Sequence, residues 1–296
     1  MPRIEILKTW KLFIGGAFPR TESGRTTVLE DAKGRTIAHC CRASRKDLRN
    51  AVESARSALP GWWKRDAYNR GQILYRLAEM MEGRTAELVD AIRAVPDAET
   101  GRAATAAQAR KEVAASVDRL VAFAGWCDKF AQVVGCRNPV NGPYHDFTMP
   151  EPTGVCGAVS PETPTLLGLI DAIAPMLAGG NVVVALASQR NPLPAMVTAE
   201  ICANSDVPGG VVNILTGHRD ELLPEYAGHR DIDAIGGCVE TDEERRELEL
   251  GAADNLKRVR LSMSADLDHF DHEDRHSPWT IEPFTDLKTI WHPSSV

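Results

Sequence analysis

Residues 151–217 read EPTGVCGAVSPETPTLLGLIDAIAPMLAGGNVVVALASQRNPLPAMVTAEICANSDVPGGVVNILTG. Short apolar runs at 155–159, 182–187 and 211–215 alternate with helical patterns and are separated by turns rich in glycine and proline. This alternation is typical of parallel strands connected by crossover helices. The fold class is therefore predicted to be α/β, with a parallel sheet flanked by helices.

The same pattern continues on both sides of this stretch. Two more strands are predicted at 232–235 and 259–261, with a charged helix between them that starts near Glu240. Upstream, apolar residues at helical spacing predict helices over much of 44–94 and a long amphipathic helix over 101–124. We assign residues 1–134 and 153–261 to one domain.

Two segments interrupt or follow this domain. Residues 135–152 contain Asn-Pro and Asn-Gly-Pro turns and then an alternating pattern, which predicts a protruding β-hairpin ribbon whose exposed edges recruit partners. Residues 262–277 are dominated by Asp, His and Glu, and we interpret them as a solvated acidic linker. Residues 278–296 become apolar again and predict a C-terminal strand.

Composition excludes several classes of protein. The 296 residues carry 34 Lys and Arg against 41 Asp and Glu, without a basic block, so a nucleic-acid partner is not expected. No window has the ~18 consecutive apolar residues of a membrane span, and the N-terminus lacks the apolar core of a signal peptide. Seven cysteines without C-x-x-C spacing predict reduced thiols. The protein is expected to be cytoplasmic.

Several segments together resemble the aldehyde dehydrogenase superfamily. They are KLFIGGAF (11–18), KDLRNAVESARSALPGWW (46–63), EPTGVCGAVSP (151–161), IAPMLAGGNVVV (173–184), VPGGVVNILTG (207–217) and HRDIDAI (229–235). AFAGWCDKFAQVVG (122–135) and LKTIWHP (287–293) look most similar to the non-catalytic second module of the double-length, family-sixteen enzymes and to related stand-alone bacterial proteins. The resemblance implies a Rossmann-like domain, with 135–152 and 278–296 serving oligomerisation.

Departures from the family pattern concern the active site first. Active members carry Pro-Trp-Asn after the first core strand, and the Asn amide helps to form the oxyanion hole. Here Pro161 is followed by Glu162 and Thr163. Glu162 would place negative charge where an oxyanion develops, which opposes catalysis. Thr163, and Ser262 after the fifth strand, are therefore degenerate catalytic positions, and no catalytic residue is predicted.

The cofactor positions depart as well. Where active members have a Lys that contacts the ribose, this chain has Leu186. The turn predicted after the fourth strand contains Gly236 and Gly237, and the acids that follow would repel a pyrophosphate from a helix N-terminus. We regard the following as vestigial cofactor positions: Pro161, Glu162, Leu186, Ser188, Gly217, Gly236 and Gly237. No cofactor is expected, with NAD or NADP as the alternative.

The resemblance also implies that a whole catalytic domain is absent. Active members continue from the fifth strand into the domain that bears the nucleophilic Cys, whereas this chain passes into the acidic linker and then the C-terminal strand. A natural internal deletion of about one domain, ~150–200 residues, is our interpretation.

The cysteines and a histidine-rich segment are the other candidate sites. Cys238 is the cysteine nearest the expected cofactor turn, but Glu240 and Asp242 should raise its pKa. The remaining cysteines are interpreted as core or loop residues: Cys40, Cys41, Cys127, Cys136, Cys156 and Cys202. The spacing of His269, His272 and His276 would suit Zn²⁺ on one helix face, yet no apolar face would hold such a helix. No metal site is predicted.

The leading hypothesis is a non-catalytic structural or regulatory subunit. Its partner would be a catalytic aldehyde dehydrogenase or a second copy of this chain, joined through 135–152 and 278–296. The alternative is an NAD(P)-dependent aldehyde oxidoreductase component whose active site a partner chain completes.

Overall fold

The computed structural model describes residues 6–97 and 100–294. Its strands are β1 (Lys8–Trp10), β2 (Thr26–Glu30), β3 (Thr36–Cys41), β4 (Cys136–Asn138), β5 (Tyr144–Pro152), β6 (Val155–Val159), β7 (Val182–Leu186), β8 (Val212–Leu215), β9 (Ala234–Val239), β10 (Arg258–Met263) and β11 (Thr285–Pro293). Its helices are α1 (Arg45–Trp63), α2 (Ala67–Gly83), α3 (Thr85–Ala94), α4 (Ala106–Trp126), α5 (Phe130–Val134), α6 (Leu167–Ala178), α7 (Leu193–Asn204), α8 (Arg219–Gly228), α9 (Asp242–Ala253) and α10 (His272–Arg275).

The centre of the fold is a five-stranded parallel sheet with the order β10-β9-β6-β7-β8. Every residue of β6 and β7 is buried, as expected for strands covered by helices on both faces. Right-handed crossovers place α6 and α7 on one face and α8 and α9 on the other. Helix α4 packs on α6, and α1 packs with α8 across the opposite face. The predicted α/β class and parallel sheet are confirmed.

The predicted ribbon and C-terminal strand form a separate antiparallel sheet with the order β11-β5-β4. Strand β11 pairs with β5 of the same chain along its whole length, from Thr285 opposite Pro152 to Pro293 opposite Tyr144. The tail therefore completes the ribbon within one chain.

Two strands are longer than predicted, and this changes where some site residues lie. Strand β9 runs from Ala234 to Val239, so Gly236 and Gly237 lie inside it and not in a turn after it. Each pairs on both sides, Gly236 with Ala158 and Arg260. Ser262 lies inside β10, opposite Cys238. The apolar patterns of both strands were too short to predict these ends, because glycine and serine carry no strand signal.

The segment after β10 is not a solvated linker throughout. His269 is buried, and its carbonyl oxygen accepts a hydrogen bond of 3.0 Å from Nη2 of Arg119 on α4. Nε1 of Trp126 donates to the His276 carbonyl at 2.7 Å. Ile281 and Phe284 are buried against the main core. The acidic composition predicted exposure, but polar backbone groups and a few apolar side chains hold this segment on the domain.

Among the described residues, no helix combines the length and apolar character needed to cross a bilayer.

Candidate functional site

In open parallel sheets, ligands bind at the carboxyl ends of strands where the strand order reverses. The chain passes from β6 to β7 on one side and later returns to β9 on the other side of β6. The reversal point therefore lies between the ends of β6 and β9. The residues that follow these strands determine what this crevice can bind.

Arg219, the first residue of α8, occupies this crevice. Its side chain is buried, and Nη1 donates to the Ser160 carbonyl after β6 at 2.8 Å. Nη2 donates to the Cys238 carbonyl of β9 at 3.2 Å. The guanidinium thus joins the two strands at the point where a nucleotide would enter. No motif in the sequence indicates this role for Arg219.

Glu244 holds the same guanidinium from the first turn of α9. Its carboxylate accepts from Arg219 Nε at 2.8 Å and from Nη2 at 2.7 Å, which is a bidentate pair. The same carboxylate accepts the Glu240 N–H at 2.8 Å. Burial opposes both charges, yet their mutual hydrogen bonds leave the pKa of Arg219 raised and that of Glu244 lowered. Both groups are therefore charged at neutral pH.

Glu162 follows β6, and its side chain reaches into the neighbouring turn between β7 and α7. Its buried carboxylate accepts from Ser188 Oγ and the Arg190 N–H, both at 2.8 Å, and from the Gln189 N–H at 3.3 Å. It lies 3.9 Å from Arg219 Nε. The turn and Arg219 thus engage the carboxylate, and the expectation that Glu162 places negative charge where an oxyanion would develop stays a prediction.

A third carboxylate caps α6. Glu112 on α4 is buried and accepts the N–H groups of Leu166 at 2.7 Å and Leu167 at 3.3 Å. Burial raises the pKa of Glu112, and these two hydrogen bonds act against the shift. The sequence places Glu112 on the apolar side of a helix but does not indicate what it contacts.

These contacts test whether the crevice fits a dinucleotide. A pyrophosphate needs available backbone N–H groups and positive potential at a helix N-terminus. The N–H groups of Gln189, Arg190 and Glu240 already donate to carboxylates of the chain. The Arg219 guanidinium faces the carboxylates of Glu162, Glu240 and Glu244. The residues present do not fit a pyrophosphate.

Of the remaining predicted catalytic and cofactor positions, Leu186 and the glycines have packing roles. Leu186 is fully buried in β7, and Thr163 is exposed at the edge of the sheet. A Cβ built on several glycines would lie too close to a neighbouring side chain: 2.2 Å from Pro161 Cγ at Gly168, 2.3 Å from Phe284 Cζ at Gly236, and 2.8 Å from Leu222 Cδ1 at Gly217, where the leucine can shift. Gly237 has a φ of 119° and a Cβ there would meet the Val159 carbonyl. Gly236 and Gly237 therefore serve the packing of β9.

The cysteines are unbridged, and six of the seven are buried. Burial first, and then the charge of Glu240, raises the pKa of Cys238 to about 12. Burial raises the pKa of Cys40, Cys127 and Cys202 to the same value. None of these thiols is ionised at neutral pH.

Cys238 lies beside a second cluster of buried charges, on the α6 face of the sheet. Its Sγ is 4.0 Å from Nε2 of His269, and Nδ1 of His269 is 2.5 Å from Oδ2 of Asp171 on α6. The other carboxylate oxygen of Asp171 is ion-paired with Arg119 on α4. Burial, followed by the charges of Arg275 and Arg119, lowers the pKa of His269 to about 4. The imidazole is neutral, so Nδ1–H donates to Asp171 and Nε2 accepts.

The three histidines considered as zinc ligands do not converge. His269 bonds Asp171, whereas His272 Nδ1 and His276 Nε2 lie 3.3 Å apart on the exposed side of the segment. Within 6–97 and 100–294, no group of three or more His, Cys, Asp or Glu residues is placed to hold a metal ion.

Comparisons with known proteins extend these observations. The sequence model of the aldehyde dehydrogenase family matches residues 18–270. The chain is 33% identical over 268 residues to cytosolic 10-formyltetrahydrofolate dehydrogenase of Mus musculus, covering 88% of this chain and 29% of that protein. It is 34% identical over 266 residues to retinal dehydrogenase 2 of Mus musculus, covering 88% of this chain and 50% of that protein.

Solved structures agree with the sequence matches. The NAD⁺ complex of the aldehyde dehydrogenase from Bacillus cereus superposes with a TM-score of 0.79 at 25% identity, covering 86% of this chain and 51% of that one. An HpcC structure from Thermus thermophilus gives the same TM-score at 26% identity, with 86% and 48% coverage. The chain spans about half the length, or less, of these relatives.

Proposed function

Since this chain belongs to the aldehyde dehydrogenase family, we propose that it is a non-catalytic, cytoplasmic member that acts as a structural or regulatory subunit. It binds no nicotinamide cofactor. It assembles through the ribbon sheet (β4, β5 and β11) with a catalytic member of the family, and pairing with a second copy of itself is the alternative outcome of the test below.

One observation carries this proposal: the crevice at the end of β6 and β9 is filled by the chain's own ions. Arg219 bonds the carbonyls of both strands and the carboxylate of Glu244. Opening this crevice would strip a buried guanidinium of its partners, which costs several kcal/mol. A bound cofactor would also have to displace carboxylates that already hold the N–H groups of the surrounding turns.

The residues at the carboxyl end of the parallel sheet also support a non-catalytic role. Oxyanion stabilisation requires donors aimed at the reacting oxygen. Thr163 is exposed, Ser262 lies in β10, and the buried carboxylate of Glu162 places negative charge beside Arg219. The Cys238 thiol has its pKa raised to about 12. A thiolate nucleophile beside an oxyanion site is therefore not available from these residues.

The ribbon sheet supplies the surface for assembly. Among the described residues, β11 pairs only with β5, so alternate residues of β11 after Thr285, whose carbonyl accepts from Arg258, direct their backbone groups outward. Leu287 and Trp291 project from one side of β11, and both are more than half exposed. An uncovered edge strand with apolar side chains is a site for strand addition or sheet packing by a partner.

The proposal is tested by mixing the purified chain with a full-length catalytic aldehyde dehydrogenase from the same source and measuring the mass of the complex by size-exclusion chromatography with light scattering. A mixed complex is expected, and Leu287→Lys with Trp291→Lys should abolish it. Leu250→Lys is the matched control, because Leu250 is also more than half exposed but lies on α9. Separate elution of the two proteins at micromolar concentration, with unaltered enzyme activity, would contradict the subunit role.

The cofactor part of the proposal is tested separately. Melting curves with and without millimolar NAD⁺ or NADP⁺ should coincide, since binding at 100 times Kd would add about 2.7 kcal/mol to stability. A reproducible upward shift would instead favour the alternative, an NAD(P)-dependent component completed by a partner chain.

A further inference from the structure

A cavity of about 110 Å³ lies between α6, the ends of β9 and β10, and the segment 264–284 that crosses them. Gly237 and Cys238 of β9 and Asp171 of α6 form part of its floor, and the crossing segment forms its roof. Because this cavity lies on the α6 face, it is separate from the crevice that Arg219 fills.

The floor contains a buried guanidinium with spare hydrogen-bonding capacity. Arg119 is fully buried and pairs with Asp171, and its Nη2 donates to the His269 carbonyl. Its Nε makes no hydrogen bond with any described residue. Burial first, and then the charge of Arg275, lowers the pKa of Arg119 to about 10, so the group remains cationic at neutral pH. Because the whole Arg119 side chain is buried, it contributes positive potential to the cavity, and the donors that a ligand can reach are those of the cavity rim.

Two more arginines line the same cavity. Arg260 of β10 is exposed, and Arg275 at the end of α10 is partly buried. Neither side chain is hydrogen-bonded or ion-paired to another residue within the described ranges. Three arginines therefore face one carboxylate, that of Asp171, while His269 is neutral. Three acids outside the lining add negative charge nearby. Asp268 and Glu112 favour the charged form of His269, and Asp271 favours the charged form of Arg119.

The rest of the wall is apolar. It consists of Ala172, Pro175, Leu267, Trp279, Pro283 and Phe284. One water needs about 10–15 Å³ of such space, so the cavity of about 110 Å³ accommodates a molecule of roughly seven to eleven non-hydrogen atoms. An apolar wall beside cationic donors suits a molecule with one anionic end and a short hydrocarbon body.

We propose that this cavity binds a small monocarboxylate, with the carboxylate toward Arg119 and the rim arginines Arg260 and Arg275, and the hydrocarbon body against Pro175, Trp279 and Phe284. Arginine suits a carboxylate because its donors form a planar fork. A phosphate dianion fits less well, since it would leave the apolar wall without a partner and lie close to Asp171. The site goes beyond the subunit role and does not depend on it.

The experiment is isothermal titration of the intact chain with butyrate and benzoate, with butyramide and benzamide as neutral counterparts of the same shape and inorganic phosphate as a second anion. The acids are expected to bind and the amides not to bind. Trp279 gives an independent signal, because fluorescence quenching by the acids should be lost in Trp279→Phe, which keeps the other tryptophans.

The double variant Arg260→Gln with Arg275→Gln should weaken acid binding by at least about tenfold, since a hydrogen bond to a charged group is of that order. Both residues lie at the rim without ion-pair partners, so the variant is expected to melt at the wild-type temperature. Arg246→Gln on α9 is the matched control and should leave binding unchanged. Equal binding of acids and amides, binding of phosphate alone, or acid binding that survives the double variant would each overturn the proposal.

Discussion

The crevice between β6 and β9 and the cavity on the α6 face are both built from buried charged residues, yet they differ in how those charges are satisfied. In the crevice, Arg219 bonds two strand carbonyls and Glu244, and Glu162 bonds the turn after β7. In the cavity, Arg119 keeps a donor without a partner, and Arg260 and Arg275 are unpaired among the described residues.

The sign of the charge also differs. In the crevice, Arg219 faces the carboxylates of Glu162, Glu240 and Glu244. In the cavity lining, three arginines outnumber the one acid, Asp171, with three further acids (Glu112, Asp268 and Asp271) outside that lining. The first region repels an anionic ligand and the second attracts one. Buried charge alone therefore does not identify a binding site, and the donors that remain unsatisfied are the more informative observation.

The strongest test of this contrast is to remove the cation from the crevice. Arg219→Met should lower the free energy of unfolding by about 3–5 kcal/mol, because Glu162 and Glu244 then remain buried without their partner. Urea denaturation followed by circular dichroism measures the change. Arg45→Met is the control, since the pair of Arg45 with Glu225 is solvent-exposed and should contribute less than about 1 kcal/mol. A loss below 1 kcal/mol for Arg219→Met would show that water, not the ion network, fills the crevice.

The second test uses pH on the cavity side. The pKa of His269 falls from 6.5 to about 4 on folding. As pH decreases from 6.5 toward 4, the unfolded chain takes up a proton at His269 that the folded chain does not, so stability falls. The contribution amounts to about 3 kcal/mol across this window.

Because carboxylates also titrate in this range, the informative quantity is the difference between wild type and His269→Gln. Unfolding free energies of both proteins at pH 7, 6, 5 and 4 should converge as the pH decreases. Parallel curves would mean that His269 takes up its proton at the ordinary pKa in the folded state, and the cavity would then become more cationic as the pH falls below 6.5.

The smallest effect concerns the strand that separates the two regions. Gly236→Ala should cost about 1–3 kcal/mol, because the new Cβ would lie 2.3 Å from Phe284 Cζ on the cavity side. Gly125→Ala, at an exposed position on α4 with no atom within 4 Å, should be neutral or stabilise the protein by up to about 1 kcal/mol. Thermal denaturation compares the two. Equal melting temperatures would indicate that Gly236 is not kept for packing.

Much of the fold was predictable from local pattern, with errors at the ends of elements. The runs at 155–159 and 182–187 are continuous apolar segments, and they form the buried strands β6 and β7. The ends of β9 and β10 were missed because glycine and serine continue these strands without an apolar signal. The acidic composition of 262–277 predicts a solvated linker, whereas His269 and backbone carbonyls attach this segment to the domain.

The candidate site was predictable only in part. Glu162 and Leu186 stood out because they depart from a family pattern at known positions. Arg219 and Glu112 gave no such signal, since a charged residue on a helix is ordinary until its partners are known.

The sequence by itself determined the parallel sheet, its helices, the ribbon and the family, because each depends on residues that are close together in the chain or on recognisable segments. The tertiary structure alone decided which charges meet. Arg119, Asp171, Cys238 and His269 come from four separate elements, and Arg219 reaches Ser160 across 59 positions of chain. Such contacts depend on how helices pack on the sheet, and no local pattern of residue types encodes that geometry.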